Sequence, residues 1–324
     1  MRQDLLNKMW RNANVSDTYE PGSTFKPVTV ASALEEGVVK DGDTYVCKGF
    51  ETVADYKLKC HVFSTIGSHG SLTVEQALMN SCNPYMIHLA LEMGNSRFAY
   101  YQSLFGFGKI TGIDLPGETT GIVYGDRMTT IDAACNSFGQ TINVNMMQMM
   151  AAYCSIINGG MLYQPHIVKR IESANGEVVK EYKANLVRQT ITASTSKLLR
   201  RYLKNTVEEG TAKKAGVTGY SVAGKTGTAQ KGDRKDNKWI ISFIGHAPAE
   251  NPKFAIYVVI DEPYGTTGTS GSSADVLTLT HNILEKLLPY MNVYKDASDE
   301  YEDTSSSPDE LTVDGIPAGT ASSN

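Results

Sequence analysis

Hydrophobic and polar positions alternate in two ways along this chain, one with helical period and one with strand period. In residues 24–36, Phe25, Val28, Ala31 or Ser32, and Leu34 recur every third or fourth position, the apolar stripe of a helix. Pro27 falls in its first turn, where a missing N–H costs little. Thr73 introduces a second helical pattern, "VEQALMNSCNPYMIHLALEMG", with Leu78, Met86, Leu89 and Met93 in register. Pro84 breaks it, so two helices are expected to meet near residues 81–83. "MMQMMAAYCSIINGG" predicts a helix stopped by its glycine pair, with Met146, Met147, Met149 and Met150 filling core space. Thr192 opens another helix through residue 207. "SSADVLTLTHNILEKLLPYM" predicts a closing amphipathic helix capped by Ser272 or Ser273.

Strand signals fall mostly later. "HIVKRIESANGEVVKEY" places two β-rich runs around Asn175-Gly176, a hairpin signature. "YSVAGKTGTAQ", "KWIISFIGHAPA" and "KFAIYVVIDEP" follow as three β-rich segments, the last two joined by a short Pro-Asn turn and so antiparallel. Residues 37–70, rich in Gly, Asp and Lys, predict loops with short strands. "LFGFGKITGIDLPGE" is a glycine-rich loop that lacks the GxxxxGK[ST] spacing of a phosphate-binding loop. No internal repeat is visible.

Composition adds bounds rather than chemistry. The chain has 324 residues, 41% hydrophobic and 20% charged, as a globular fold requires. Its net charge of −5 is uneven: eight of its 35 acids lie from Asp296 onward, leaving 27 acids against 30 bases in the body. A mildly basic body with an acidic tail lacks the strong basic patch of a nucleic-acid binder. We therefore expect an upstream-linker remnant at 1–16, one globular domain at 17–291, and an acidic disordered tail at 292–324. No apolar run approaches the ~18 residues of a membrane helix, and the start has no apolar core long enough for a signal peptide. Taken literally the chain would stay inside the cell; taken as a fragment, its export signal or anchor lies elsewhere.

The five cysteines, Cys47, Cys60, Cys82, Cys135 and Cys154, contain no CxxC, which argues against zinc and thioredoxin-like sites. Cys135 and Cys154 read as small buried side chains. Cys47, Cys60 and Cys82 could supply a disulfide outside the cell, or remain packed free thiols. A bridge from Cys82 to Cys60 or Cys47 would distort its surroundings. The six histidines, His61, His69, His88, His166, His246 and His281, are scattered without ligand spacing and read as surface or capping residues. No metal or organic cofactor is expected.

Candidate chemistry begins at "YEPGSTFKP". A serine hydroxyl is a weak nucleophile that needs a base. Lys26, three residues after Ser23 on one helix face, can supply an amine whose pKa falls on burial. A serine at a helix start also turns its own N–H toward a developing oxyanion. SxxK alone is weak: "STSK" at 194–197 also fits, and "SCN", "SAN" and "SSN" all satisfy SxN. Order and setting discriminate. The first SxxK opens a helix, "SCN" lies between two helices, and the unique "KTG" (Lys225, Thr226, Gly227) sits in a strand-like segment. That triple marks serine β-lactamases and penicillin-binding proteins.

With "DTYEPGSTFKP", "NSCNPYMIHLALEMG", "FGFGKITGIDLPGE", "SFGQTINVNMMQMMAAYCSIINGG" and "AGKTGTAQ" in succession, the chain resembles the transpeptidase domain of class B penicillin-binding proteins, of the cell-division and stage V sporulation protein D type. The resemblance covers roughly residues 15–288. One departure is Thr141 followed by "INVN", where the family more often has a glycine and then Thr-Pro. Another is the absence of the N-terminal membrane helix and pedestal domain such proteins usually carry. The resemblance implies an α/β (α+β) fold: a central, mostly antiparallel sheet flanked by helices, with a helical subdomain carrying the SxN. It implies that Ser23 is the nucleophile and Lys26 its base, and that Ser81 passes a proton between Lys26 and the departing amine. Asn83 would hold the donor peptide, Lys225 and Thr226 its terminal carboxylate. Gly227 would leave room for substrate along the strand edge, and the N–H of Thr228 would complete the oxyanion hole. The implied partners are peptidoglycan stem peptides, penicillin and other β-lactams, and division, elongation or sporulation proteins at the outer face of the cell membrane. A β-lactamase or carboxypeptidase on the same fold, or a β-lactam-sensing module, are the alternatives.

Overall fold

The computed structural model describes residue 6 and residues 9–232, 238–263 and 272–296. A short helix, α1 (Ala13–Ser16), comes first. Val15 is fully buried and its carbonyl accepts the Thr119 N–H, so these residues are stitched into the domain. A 3-10 turn, Gly22–Phe25, then runs into α2 (Lys26–Glu36), with Pro27 in the first helical turn as its sequence requires. The polar region that follows forms β1 (Thr44–Cys47), β2 (Phe50–Val53), β3 (Tyr56–Lys59) and β4 (Gly70–Thr73). β1 pairs with β4 and β2 with β3, both antiparallel.

Thr73 caps α3 (Val74–Met79) in a reciprocal capping box with Gln76. The break at Pro84 holds: α4 (Asn83–Met93) starts anew, followed by α5 (Asn95–Leu104) and α6 (Thr130–Asn136). α7 (Met146–Ile157) is capped by Asn145 and Gln148. Of its methionine cluster Met149 is buried and the others half-buried. β5 (Met161–Gln164), β6 (Arg170–Glu172), β7 (Val178–Glu181) and β8 (Asn185–Gln189) form two small sheets, β5 with β8 and β6 with β7 about the expected Asn175-Gly176 turn. Thr192 caps α8 (Ala193–Glu208).

The sheet that carries the later chemistry is antiparallel in the order β11-β10-β9: β9 (Ala223–Lys231), β10 (Lys238–Ala247) and β11 (Phe254–Asp261). β10 is buried on both faces, which explains its continuous apolar run. Period-two alternation divides the packing. Ile241, Phe243, Ile256 and Val258 meet Val276, Leu284 and Leu288 of α9 (Ala274–Tyr290) on one face. Ile244, Ala255 and Tyr257 turn to the larger core built from α2, α4, α7 and α8. The expected helix-flanked antiparallel sheet is thus present.

Two expectations change. His246 is no surface residue: it is fully buried on β10, where Tyr153 Oη lies 2.8 Å from Nδ1 and the Ala249 carbonyl 3.0 Å from Nε2. Burial pushes its pKa down to about 4, so the ring is neutral. The domain also continues past residue 291. Val293 is buried, and the Asp296 carboxylate accepts the Ser221 N–H (2.7 Å) and hydroxyl (2.5 Å). The rest of the expected acidic tail, 297–324, lies outside the described residues. Among the described residues no helix is long and apolar enough to cross a membrane.

Candidate active site

Ser23 sits half-buried on the 3-10 turn, and the α-helix proper begins at Lys26, two residues after the start the periodicity suggested. Two glycines allow this turn to press against β9. Gly22 has φ +56°, and a Cβ there would stand 2.7 Å from the Thr228 carbonyl oxygen. Gly227 has no room either: a Cβ would lie 2.5 Å from Ser242 Oγ and 2.8 Å from Thr24 Cγ2. Its missing side chain makes space for the serine turn, a neighbour the sequence did not reveal. Beneath the turn, Thr24 donates to the Pro21 carbonyl (2.7 Å) and lies 3.2 Å from Tyr257 Oη, which accepts from Tyr19 Oη at 2.6 Å.

The second element arrives from the helical subdomain. At the end of α3 the Ser81 N–H donates to Leu78 and the Cys82 N–H to Ala77, a Schellman turn. Ser81 occupies the left-handed position, φ +53°, that glycine usually takes. A non-glycine there costs on the order of 1 kcal/mol, and the strain coincides with a functional position. The turn aims Ser81 Oγ at Ser23 Oγ, 3.0 Å away, and sets Asn83 on the first residue of α4.

Lys26 joins the two elements. It is fully buried, and its Nζ donates to the Ser81 carbonyl (2.6 Å), Asn83 Oδ1 (2.7 Å) and Ser81 Oγ (3.0 Å). Burial is the main cause that brings its pKa down to about 8, against the smaller upward pull of Cys60 and Cys82. The amine reaches Ser23 through the Ser81 hydroxyl, a relay in place of the direct pair expected from the three-residue spacing. A neutral amine has two N–H donors and one lone pair. Two fixed carbonyl oxygens take the donors and leave the lone pair for the Ser81 hydroxyl.

The third element is β9, an edge strand beside the serine turn. Lys225 is fully buried and, among the described residues, has only long contacts, to the Thr226 carbonyl (3.3 Å) and hydroxyl (3.4 Å). Burial, then the positive charge of Lys26, holds its pKa well below the ordinary lysine value. The Thr226 hydroxyl lies 3.4 Å from that of Thr211. The competing SxxK at Ser194 and Lys197 is exposed on α8, and "SAN" lies at the turn between β6 and β7.

Other residues at this site escaped sequence reasoning. Tyr257 belongs to no motif, and the motif around Ser23 gives no sign that Tyr19 and Thr24 meet it; only their proximity in space unites them. Cys47, Cys60, His69 and Cys82 converge just behind Ser81, and all five cysteines are free thiols. His69, expected as a surface or capping residue, stands 3.5 Å from Cys60 Sγ through Nδ1. These ligand types were visible, but they come from four segments with unrelated spacings.

A serine, a buried amine and an edge-strand Lys-Thr-Gly around one helix-flanked sheet define the class, and the chain belongs to the family described as penicillin binding protein transpeptidase domain, which matches residues 2–285. It is 41% identical over 289 residues to stage V sporulation protein D of Bacillus subtilis, covering 87% of this chain and 44% of that protein. To the peptidoglycan D,D-transpeptidase FtsI of Escherichia coli it is 32% identical, over 89% of this chain and 46% of the other. The chain thus spans about half the length of these curated relatives. Among solved structures, penicillin binding protein 3 of Mycobacterium tuberculosis, complexed with aztreonam, superposes with a TM-score of 0.79 at 29% identity. That match covers 89% of this chain and 66% of that one.

Proposed function

We propose that this chain is the acyl-transfer domain of a peptidoglycan D,D-transpeptidase that works through a Ser23 acyl-enzyme and is inhibited by covalent penicillin binding. The observation that carries the proposal is the Lys26 amine, buried, brought to about 8, and linked to Ser23 by one hydroxyl. Its family membership and the name of its Escherichia coli relative support the same reaction.

Ser23 Oγ attacks the carbonyl between the two terminal D-alanines. Its proton passes to Ser81 Oγ while the Ser81 proton passes to Lys26 Nζ. The backbone N–H groups of Ser23 and Thr228 face the developing oxyanion. Collapse breaks the C–N bond, and the leaving amine takes a proton back from Lys26 through Ser81. An amine of a neighbouring stem peptide then attacks the ester and is deprotonated along the same route; the C–O bond to Ser23 breaks, Ser23 Oγ takes the proton back through Ser81, and the crosslink is left. Asn83 positions the donor peptide. Lys225 and Thr226 receive its terminal carboxylate, whose charge offsets the burial of the Lys225 ammonium. The natural setting of this reaction is the outer face of the cell membrane, where peptidoglycan lies, in company with division, elongation or sporulation proteins.

Incubation with a labelled penicillin and peptide mapping tests the acyl step: a long-lived adduct on Ser23 is expected, and rapid turnover would instead mark a hydrolase. Crosslink formation from a lipid-linked donor and an acceptor amine separates a transpeptidase from a β-lactam sensor.

A further inference from the structure

The β2–β3 hairpin stands beside Asn83. Lys59, the last residue of β3, offers its backbone carbonyl to Asn83 Nδ2 at 3.3 Å, while Asn83 Oδ1 accepts from Lys26. β3 therefore ends next to the side chain proposed to hold the donor peptide.

The pairing register sorts the hairpin into two faces. Phe50 pairs with Lys59 and Thr52 with Lys57, whereas Glu51 pairs with Leu58 and Val53 with Tyr56. Val53 and Leu58 pack with Ile87, Ala134 and Phe138, so their face is turned to the interior. The other face carries Phe50, Thr52, Lys57 and Lys59, and both lysines are exposed. Phe63, from the 3-10 turn at residues 61–64, stands edge-on to Phe50 with ring centres 6.1 Å apart. Lys57 Nζ lies 3.7 Å from the Phe50 ring centre and 5.4 Å from that of Phe63. Lys59 Nζ lies 4.9 Å from the Phe63 ring centre. Two ammonium groups are thus gathered over a pair of aromatic rings.

Among the described residues neither ammonium has a carboxylate partner. Elsewhere on the surface, cations are matched: Lys231 meets Asp261 and Glu262, and Arg201 meets Asp41 and Glu75. The strand acid of this hairpin, Glu51, belongs to the opposite face. The rings hold the lysines in place without neutralising them. The fields of two neighbouring like charges add at a point in front of both, and an anion placed there is attracted by each.

We propose that Lys57 and Lys59 receive a carboxylate carried by the donor stem peptide just upstream of its two terminal D-alanines, so that this hairpin selects which donors the site accepts. The inference rests on the acyl-transfer reading and adds a substrate feature to it. An extended peptide advances about 3.3 Å per residue, the same rise as β3 itself. A donor that leaves Asn83 over this face brings its next one or two side chains to the lysines.

The test compares two penicillins on the whole chain: benzylpenicillin, and its analogue with a carboxylate on the acyl side chain. In both, that side chain takes the place of the upstream donor peptide. The second-order rate of Ser23 acylation is measured for each, and the readout is the ratio of the analogue to benzylpenicillin. Lys57→Gln with Lys59→Gln is expected to lower this ratio about threefold to tenfold. Lys57→Arg with Lys59→Arg, which keeps both charges, is expected to preserve it. Because Lys59 also lends its carbonyl to Asn83, Lys57→Gln alone is made as well, and part of the same selective loss is expected. Raising the salt from about 0.05 M to about 0.5 M should lower the wild-type ratio and leave that of the double glutamine variant nearly flat. A double glutamine variant that slows both penicillins equally, or slows neither, overturns the proposal and leaves the acyl-transfer reading standing. If neither penicillin labels Ser23 in the wild type, the acyl-transfer reading falls and this proposal falls with it.

Discussion

Two buried lysines belong to the candidate site, and they are held differently. Lys26 has three oxygen partners between 2.6 and 3.0 Å. Among the described residues Lys225 has only contacts of 3.3 and 3.4 Å, both to Thr226. The first is a finished arrangement, with donors and lone pair assigned before any substrate arrives. The second is an amine whose charged form burial penalises until an anion comes. Preorganisation suits a group proposed to move protons; under-satisfaction suits a group proposed to bind an anion.

That contrast can be tested in descending order of effect. Lys26→Gln removes the lone pair, and penicillin acylation is expected to fall by about a thousandfold; labelling that stays within tenfold of wild type would break the contrast. Lys225→Gln is expected to weaken a carboxylate-bearing penicillin by about 1.5–3 kcal/mol, the value of a hydrogen bond to a charged group. The same change should barely affect a β-lactam whose carboxylate is esterified, and parallel titrations of the two compounds check it. Gly227→Ala drives a methyl into Ser242 and Thr24, for an expected loss of about 1–3 kcal/mol in urea unfolding.

The pH profile follows from the Lys26 value of about 8. The base is the neutral amine, so acylation rises with pH, close to tenfold per unit below that value, and levels off above it. A rate that falls between pH 6 and about 8 would reverse the assignment. The smallest expected effect is Tyr257→Phe, which deletes the hydroxyl shared by Tyr19 and Thr24. It should cost about 0.5–1.5 kcal/mol of stability, read by thermal melting, and change acylation only a few-fold.

Much of this was legible in the sequence for a definite reason. Helix stripes, the Pro84 break, the Asn-Gly turn and the capping threonines are local signals that the fold obeyed. Ser23 and Lys26, Ser81 and Asn83, and the Lys225–Thr228 run each carry their chemistry within four residues, so a short pattern reveals them. What stayed hidden depends on distance in space. Nothing near residue 227 shows that its neighbour is Thr24, and nothing near Tyr19 points to a partner 238 residues away. The meeting of Cys47, Cys60, His69 and Cys82 stayed hidden because each comes from its own segment. Ser81 relaying for Lys26 required a backbone conformation that serine seldom adopts, and the letters gave no sign of it.

One detail at the far end of the molecule bears on how the protein can be handled. Asp296 grips Ser221, two residues before β9 begins. Trimming the chain after Tyr290 would therefore cut the tether next to the strand proposed to receive the substrate carboxylate, whereas a cut after Asp296 would spare it. Shortened versions intended for crystallisation should end beyond that clasp if drug-binding measurements on them are to represent the parent protein.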